Sequence, residues 1–369
     1  MADLFDYIAW RGDLSLMQDE FNEVDAMILA RLSYLPFEYA SIPQTSPVSL
    51  EQALSSILSM ENIQEKLLME NDLAFMQSFK KADRFKNMQL FAYENHFEPE
   101  KEEQFAAIAI QIDADHIFLS FRGTDSTIVG WKEDFNMSYR SPVQSQLLAA
   151  DYLERIAKEN QHSLLIGGHS KGGNLAVYAA SFCTPAAQKA IQAVYSFDGP
   201  GLAEKTIQKT GYQTICPKIH TYVPQSSVVG MLLEHEESFT IIQSTNFSLW
   251  QHDLYSWQVV RTAFVHLQNT TASSQWFDAS LKAWLLDSTD QQREQVIDAV
   301  YKILLETNVQ TVHELSRHWL QYAIKIAPGI CRLDEPTKKT IFHLLLSFVE
   351  CASGVLRQNK ESFLDYFKN

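Results

Sequence analysis

The chain has 369 residues, 46% of them hydrophobic and 20% charged, with a formal net charge of -15. That apolar fraction excludes a disordered chain, and 13 Gly and 11 Pro exclude collagen-like or low-complexity material. Forty-five acidic against 30 basic residues argue against a nucleic-acid partner and against docking on anionic lipid.

The length suits two domains, or one large domain with appendages. Cys183, Cys216, Cys331 and Cys351 are too few and too scattered for a disulfide framework or a zinc knuckle, and read as reduced thiols. The N-terminal run carries acidic residues early and lacks an apolar leader core. The longest apolar stretch, Ile341 to Val349, is interrupted by His343 and Ser347 and falls short of the roughly 20 residues of a membrane helix. A cytoplasmic protein with no integral membrane segment is the expectation.

Residues 1–85 look helical. Asn22 can cap a helix entering Val24 to Leu32, with Asp25 near its positive end. Pro36, Pro43 and Pro47 punctuate the next stretch, and Ser49 with Gln52 fits a capping box. A second amphipathic run passes through Ile57, Leu67, Leu68 and Phe75.

After Asn87 the pattern changes. Gln89 to Tyr93, Phe105 to Ile112 and Ile117 to Phe121 are β-rich runs, the first two split by a charged turn at Glu98 to Glu103. A helix over Gln144 to Glu159, a strand at Ser163 to Gly167, a helix from Lys171 and a strand at Val194 to Phe197 follow. Further strands are expected at Ile219 to Val223 and Phe239 to Gln243. This alternation implies an α/β fold with a mostly parallel sheet over residues 86–265. Beyond about 266 the chain turns helical again: Ile297, Val300 and Leu304 mark one helix face, and Pro328-Gly329 and Asp334 to Pro336 divide the segments.

The sharpest motif is Gly168-His-Ser170-Lys-Gly172. G-x-S-x-G arises by chance in roughly one chain of this length in ten. Here it follows an apolar strand and opens an alanine-rich helix, the context of a nucleophile elbow. The glycines let strand and helix approach closely, and a helix N-terminus favours developing negative charge at Ser170. The competing reading is a glycine-rich turn with an inert serine. Upstream, Ile117 to Ser126 runs from a strand into a polar turn. The amides of Thr124 and Lys171 are the candidate oxyanion donors; otherwise Arg122-Gly-Thr is an ordinary turn.

Ser120-Phe-Arg-Gly-Thr-Asp-Ser126 with Trp131 and Asp134-Phe135, followed by Gly168-His-Ser-Lys-Gly-Gly-Asn-Leu-Ala176, resembles the class 3 lipase-like α/β hydrolases. The chain is more closely similar to a bacterial lipase-like branch of that superfamily. That branch also carries Phe5-Asp6-Tyr7 with Trp10-Arg11-Gly12-Asp13, Phe197-Asp-Gly-Pro-Gly201 and Gln251-His252-Asp253. The lipase resemblance covers about 89–265, and the branch resemblance extends to the N-terminus. It implies an α/β-hydrolase-type core with Ser170 as nucleophile, the Thr124 and Lys171 amides as oxyanion hole, and a helical lid around Ser126 to Trp131.

Such folds order the triad as serine, acid, histidine. His252 lies in a loop after the last predicted strand and matches the family's histidine position. His220 falls inside a strand, His235 among glutamates in a solvated loop, His266 in an apolar helical run and His313 in the C-terminal region. The resemblance places the acid one strand later than Asp198, where Val223-Pro-Gln225-Ser226-Ser227 has no carboxylate. Asp198 is the favoured acid and Asp253 the reserve; Gln225 could only orient an imidazole, and Asp198 could instead stabilise its turn. Lys171 could attract an anionic substrate group or point to solvent. Glu133, Asp134 and Asn136 could clamp the lid-like turn or lie on a solvated surface.

The expectation is an ester or thioester hydrolase acting on a small acyl substrate. Its core spans 86–265 between helical regions 1–85 and 266–369, with no cofactor and no metal. A catalytically weakened binding or regulatory module is the alternative, and the helical regions could serve a protein partner or a homo-oligomer.

Overall fold

The computed structural model describes residues 2–125, 127–272, 274–275, 289–307, 325–326 and 328–339. The expectations for Ser126, His313, the apolar run 341–349 and Cys351 lie outside them. Cys183, Cys216 and Cys331 are free thiols. Among the described residues no helix is long and apolar enough to cross a membrane.

Four helices open the chain: α1 (Leu4–Arg11), α2 (Glu23–Leu32), α3 (Leu50–Leu58) and α4 (Asp72–Phe79). Asn22 caps α2 as expected and Ser49 forms the expected capping box on α3; Asn22 proves to be a capping box too, with Asp25, like Gln52, reaching back to the cap backbone. The second amphipathic run is broken, because Asn62 turns left-handed (φ 56°) and only a 3₁₀ turn, Ile63–Lys66, lies between α3 and α4. One short strand, β1 (Val48–Ser49), interrupts this helical region and pairs with β2 (Gln89–Glu98).

The sheet continues through β3 (Glu103–Gln111), β4 (His116–Phe121), β5 (Ser163–His169), β6 (Ile191–Phe197), β7 (Ile219–Pro224) and β8 (Phe239–Ile242). Among the described residues it has nine strands. β4 to β8 pair in parallel, β1 to β4 pair antiparallel, and His266–Leu267 closes the far edge antiparallel to β8. The α/β-hydrolase-type sheet is therefore present, with its parallel part at the centre. His266 is a correction: a short apolar run suits helix or strand alike, and here Ile241 and Ile242 offer an open strand edge to pair with. It leaves His266 exposed, 3.4 Å from Glu23.

The parallel strands add one after another in chain order. Right-handed crossovers then deliver every connecting helix to the same face. That face carries α6 (Gln144–Glu159) and α7 (Lys171–Phe182), packed on Ile117, Leu119, Leu164 and Ile166. The alternate residues Phe118 and Leu165 face the other way, and connectivity supplies nothing to cover them. The N-terminal helices do so. Val24 to Leu32 of α2 are all buried, as expected of a helix held between a sheet and further helices.

After the sheet, Asp290–Glu306 forms a helix capped by Thr289. It buries Val296, Ile297 and Ile303, whereas Val300, expected on that face, is exposed. The helix touches α5 (Ile128–Asn136), with Asp298 2.7 Å from Lys132 Nζ, so its inner face is set by this neighbour.

Candidate active site

Ser170 stands between β5 and α7 with φ 58° and ψ -132°, a backbone state that non-glycine residues hold only where their surroundings impose it. A Cβ at Gly168 would run into Gly172, and one at Gly172 into Phe121 O and Gly123 N. The two glycines are thus required by close approach. The Ser170 amide is pinned to Phe197 O at 2.9 Å, which ties the elbow to the end of β6.

Asp198 is the next residue, also left-handed (φ 48°), with its amide on Tyr222 O of β7. That turn drives its carboxylate into the protein. Oδ1 accepts from Ser227 Oγ at 2.5 Å and from the Gly230 amide at 3.1 Å, while Oδ2 meets His252 Nδ1 at 2.6 Å. A carboxylate only accepts, so Nδ1 carries a hydrogen, and in the neutral imidazole that leaves the lone pair on Nε2. His252 ends the 3₁₀ turn Ser248–His252 and stays partly exposed. His169, the residue before Ser170, holds its ring centroid 4.4 Å from that of His252. Sites 54 residues apart in the chain thus meet beside the elbow.

The other candidates go elsewhere. Gln225 binds both the amide and the carbonyl of Ser244. Asp253 caps Tyr255 N at 3.0 Å. His220 stacks on Tyr195. His235 is another correction: its Nδ1 sits 3.0 Å from Glu237 with little of the ring in solvent, because Glu237 folds back onto Tyr212 and Thr221.

Lys171 neither points to solvent nor faces a substrate. Its side chain is fully buried, donating to Gln104 O at 2.8 Å and Glu133 Oε2 at 2.9 Å. Glu133 also accepts from the amides of Gln104 and Ser145. A buried ammonium requires such pairing, and the partner comes from α5, just after the lid-like segment expected at Ser126 to Trp131. Glu133 and Asn136 do not lie on a solvated surface: both are buried, and Asn136 accepts from Lys132 and donates to Glu102. Neighbouring Asp134 accepts from Thr124 Oγ1 at 2.5 Å. About a quarter of its side chain is exposed, yet Oδ1 is sealed from solvent. Burial pushes its pKa up to about 6, against the pull of Lys171. The segment Arg122-Gly-Thr is therefore held at both ends, with Arg122 Nη2 on Asn95 Oδ1 at 3.0 Å. Lys171 opens α7, so its amide belongs to the first turn that lacks partners within the helix.

Sequence reasoning passed over Tyr34, Ser227 and the role of His169. Ser227 and His169 sat inside quoted motifs, but nothing local marks Tyr34. A cavity of about 280 Å³ lined by Lys101, Arg140 and Glu133 includes none of Ser170, Asp198 and His252.

Known structures similar to this chain include the M37 lipase, at 14% identity over 56% of this chain and 68% of that one, TM-score 0.33. The Rhizomucor miehei lipase in its propeptide complex aligns at 15% identity over 59% and 67%, TM-score 0.35. A fungal lipase in an inhibitor complex aligns at 13% identity over 55% and 83%, TM-score 0.34. A comparison with curated protein sequences finds no match. A family model matches residues 79–302, more than half of the chain and all of the parallel sheet. The chain belongs to the Mbeg1-like family.

Proposed function

We propose that this protein is a serine hydrolase that cleaves an ester or thioester through an acyl-enzyme on Ser170. The observation that carries the reading is the 2.6 Å contact of Asp198 with His252 Nδ1, beside a serine on a strained elbow. His252 Nε2 takes the Ser170 proton as Oγ bonds to the acyl carbon. The Thr124 and Lys171 amides hold the oxyanion, a role in which one donor is worth roughly 10²–10³ in rate. His252 then returns the proton to the leaving oxygen or sulfur as its bond to the acyl carbon breaks. Water repeats the sequence to free the acid and restore Ser170.

Trp131 and Phe135 on α5, and Phe247 and Trp250 in the loop of His252, are exposed aromatics near this edge. They support an amphiphilic small-molecule acyl substrate. The alternative binding module draws its motive from the missing carboxylate at position 225 and from the helical regions on either side of the core. The carboxylate of Asp198 beside His252 weakens the first of these motives. The test is labelling by a fluorophosphonate, expected for the wild type and absent in Ser170→Ala. A folded wild type that takes no label overturns the reading. A chain-length series of acyl esters beside peptide substrates then defines the acyl group.

A further inference from the structure

The N-terminal helices show no catalytic motif, but a chain of buried polar contacts leads from them to the backbone of His252. Tyr34, just beyond α2, holds its hydroxyl 3.1 Å from His169 Nδ1 and 3.1 Å from His169 O. A Cβ at Gly123 would strike Tyr34 Oη, His169 O and Ser170 Cβ, so these groups are in close contact.

On its other side, His169 Nε2 lies 2.8 Å from the carbonyl oxygen of His252. A carbonyl only accepts, so Nε2 carries the hydrogen. Nδ1 is then an acceptor, and it shares the single Tyr34 hydroxyl proton with the carbonyl oxygen of His169. Burial, with help from His252 and Arg31, holds the His169 pKa well below its usual value, so the ring stays neutral as this tautomer requires.

A second anchor sits three residues along the same loop. Tyr255 donates to Asp72 Oδ1 at 2.7 Å, and Asp72 is ion-paired with Arg31. The Arg31 guanidinium lies over both the Tyr34 ring (4.8 Å) and the Tyr255 ring (5.2 Å). The loop carrying His252 is therefore held at two points by Arg31, Tyr34 and Asp72.

We infer that Tyr34 and His169 are positioning residues: through the His252 carbonyl they fix the candidate base relative to Ser170 and to the loop at Gly123. The inference rests on the serine-hydrolase reading of the same site. Its physical basis is that a misplacement of about 1 Å in a reacting group can cost about 10²-fold in rate.

The experiment compares wild type with His169→Leu, His169→Gln and Tyr34→Phe. It reads kcat and KM on p-nitrophenyl butyrate, thermal melting, and the deshielded His252 Nδ1 proton by NMR. A Gln amide nitrogen can donate to the same carbonyl, whereas Leu cannot. Expected is a fall in kcat of about 10²-fold for His169→Leu with KM nearly unchanged, and of about 10-fold for Tyr34→Phe. His169→Gln should recover most of the rate, and the His252 proton should exchange faster only where the bond is lost. A lower melting temperature in His169→Leu with unchanged kcat overturns the inference and leaves the hydrolase reading intact. Equal losses in the Leu and Gln variants overturn it as well. If the wild type neither turns over ester nor takes label, the hydrolase reading fails and the NMR signal alone decides. Loss in His169→Leu with retention in His169→Gln supports positioning; no change overturns it.

Discussion

On the face of the sheet that carries α6 and α7, the layer against the strands is apolar: Ala149, Leu153 and Ile156 of α6 and Leu175, Ala176 and Ala179 of α7 meet Ile117, Leu119 and Ile166, and the buried Lys171–Glu133 pair and the Gln146–Asn174 bond sit at the first turns of the two helices. The opposite face also buries a large apolar cluster, but threads two ion pairs through it, Arg84 with Asp25 and Arg31 with Asp72. Arg84 adds bonds to the carbonyls of Leu14, Asp19 and Glu20, and Asp25 accepts from Tyr7. The difference follows from connectivity. Helices α6 and α7 are brought to their face by the strands they join, so dispersion and burial suffice to seat them. The N-terminal helices have no crossover to place them. Directional contacts therefore set their position, and that position reaches the loop of His252.

The largest expected effect lies at the edge where both faces meet. Asp198→Asn removes the anion facing His252 and should lower ester turnover about 10⁴-fold, measured as kcat. On the polar face, Arg84→Ala leaves Asp25 buried without its cation and should cost about 3–5 kcal/mol in urea unfolding. On the apolar face, Leu153→Ala should cost about 3 kcal/mol while kcat of the folded fraction is kept. An equal loss of kcat there would break the distinction between a seating face and a positioning face.

A smaller effect concerns Asp134, whose pKa rises from 3.8 to about 6, mainly through burial. The folded protein then binds this proton more tightly than the unfolded chain. The resulting stabilisation is full below pH about 4 and is lost as pH rises through about 6. Asp134→Asn should flatten that fall, worth on the order of 2 kcal/mol, in denaturation curves taken between those limits. Smallest is Ser49→Ala, which removes the cap of α3 and should cost about 1 kcal/mol. A thermal melt checks it, and kcat should not move.

The elements that could be read from the chain are those with local causes. The caps at Asn22 and Ser49 satisfy amides two or three residues away. The strands from β2 to β8 follow β-rich runs bounded by turn residues. The elbow is legible because Gly168, Ser170 and Gly172 must all fall within one turn. His266 and Val300 were misplaced for the converse reason. Each depends on what lies beside it, an open edge at β8 in one case and α5 in the other. Lys171 is similar. Nothing near it in sequence announces Glu133, 38 residues away, as its partner.

The sequence by itself determined the α/β alternation, the serine on its elbow and the loop of His252. These arise from periodicity, capping and close approach within a few residues. Only the tertiary structure decided that Asp198, rather than Gln225 or Asp253, faces His252. It also turned Lys171 inward and used the N-terminal helices to hold the loop of His252. Those outcomes depend on strand order and on the left-handed turn at Asp198, which set the direction of side chains far apart in the chain.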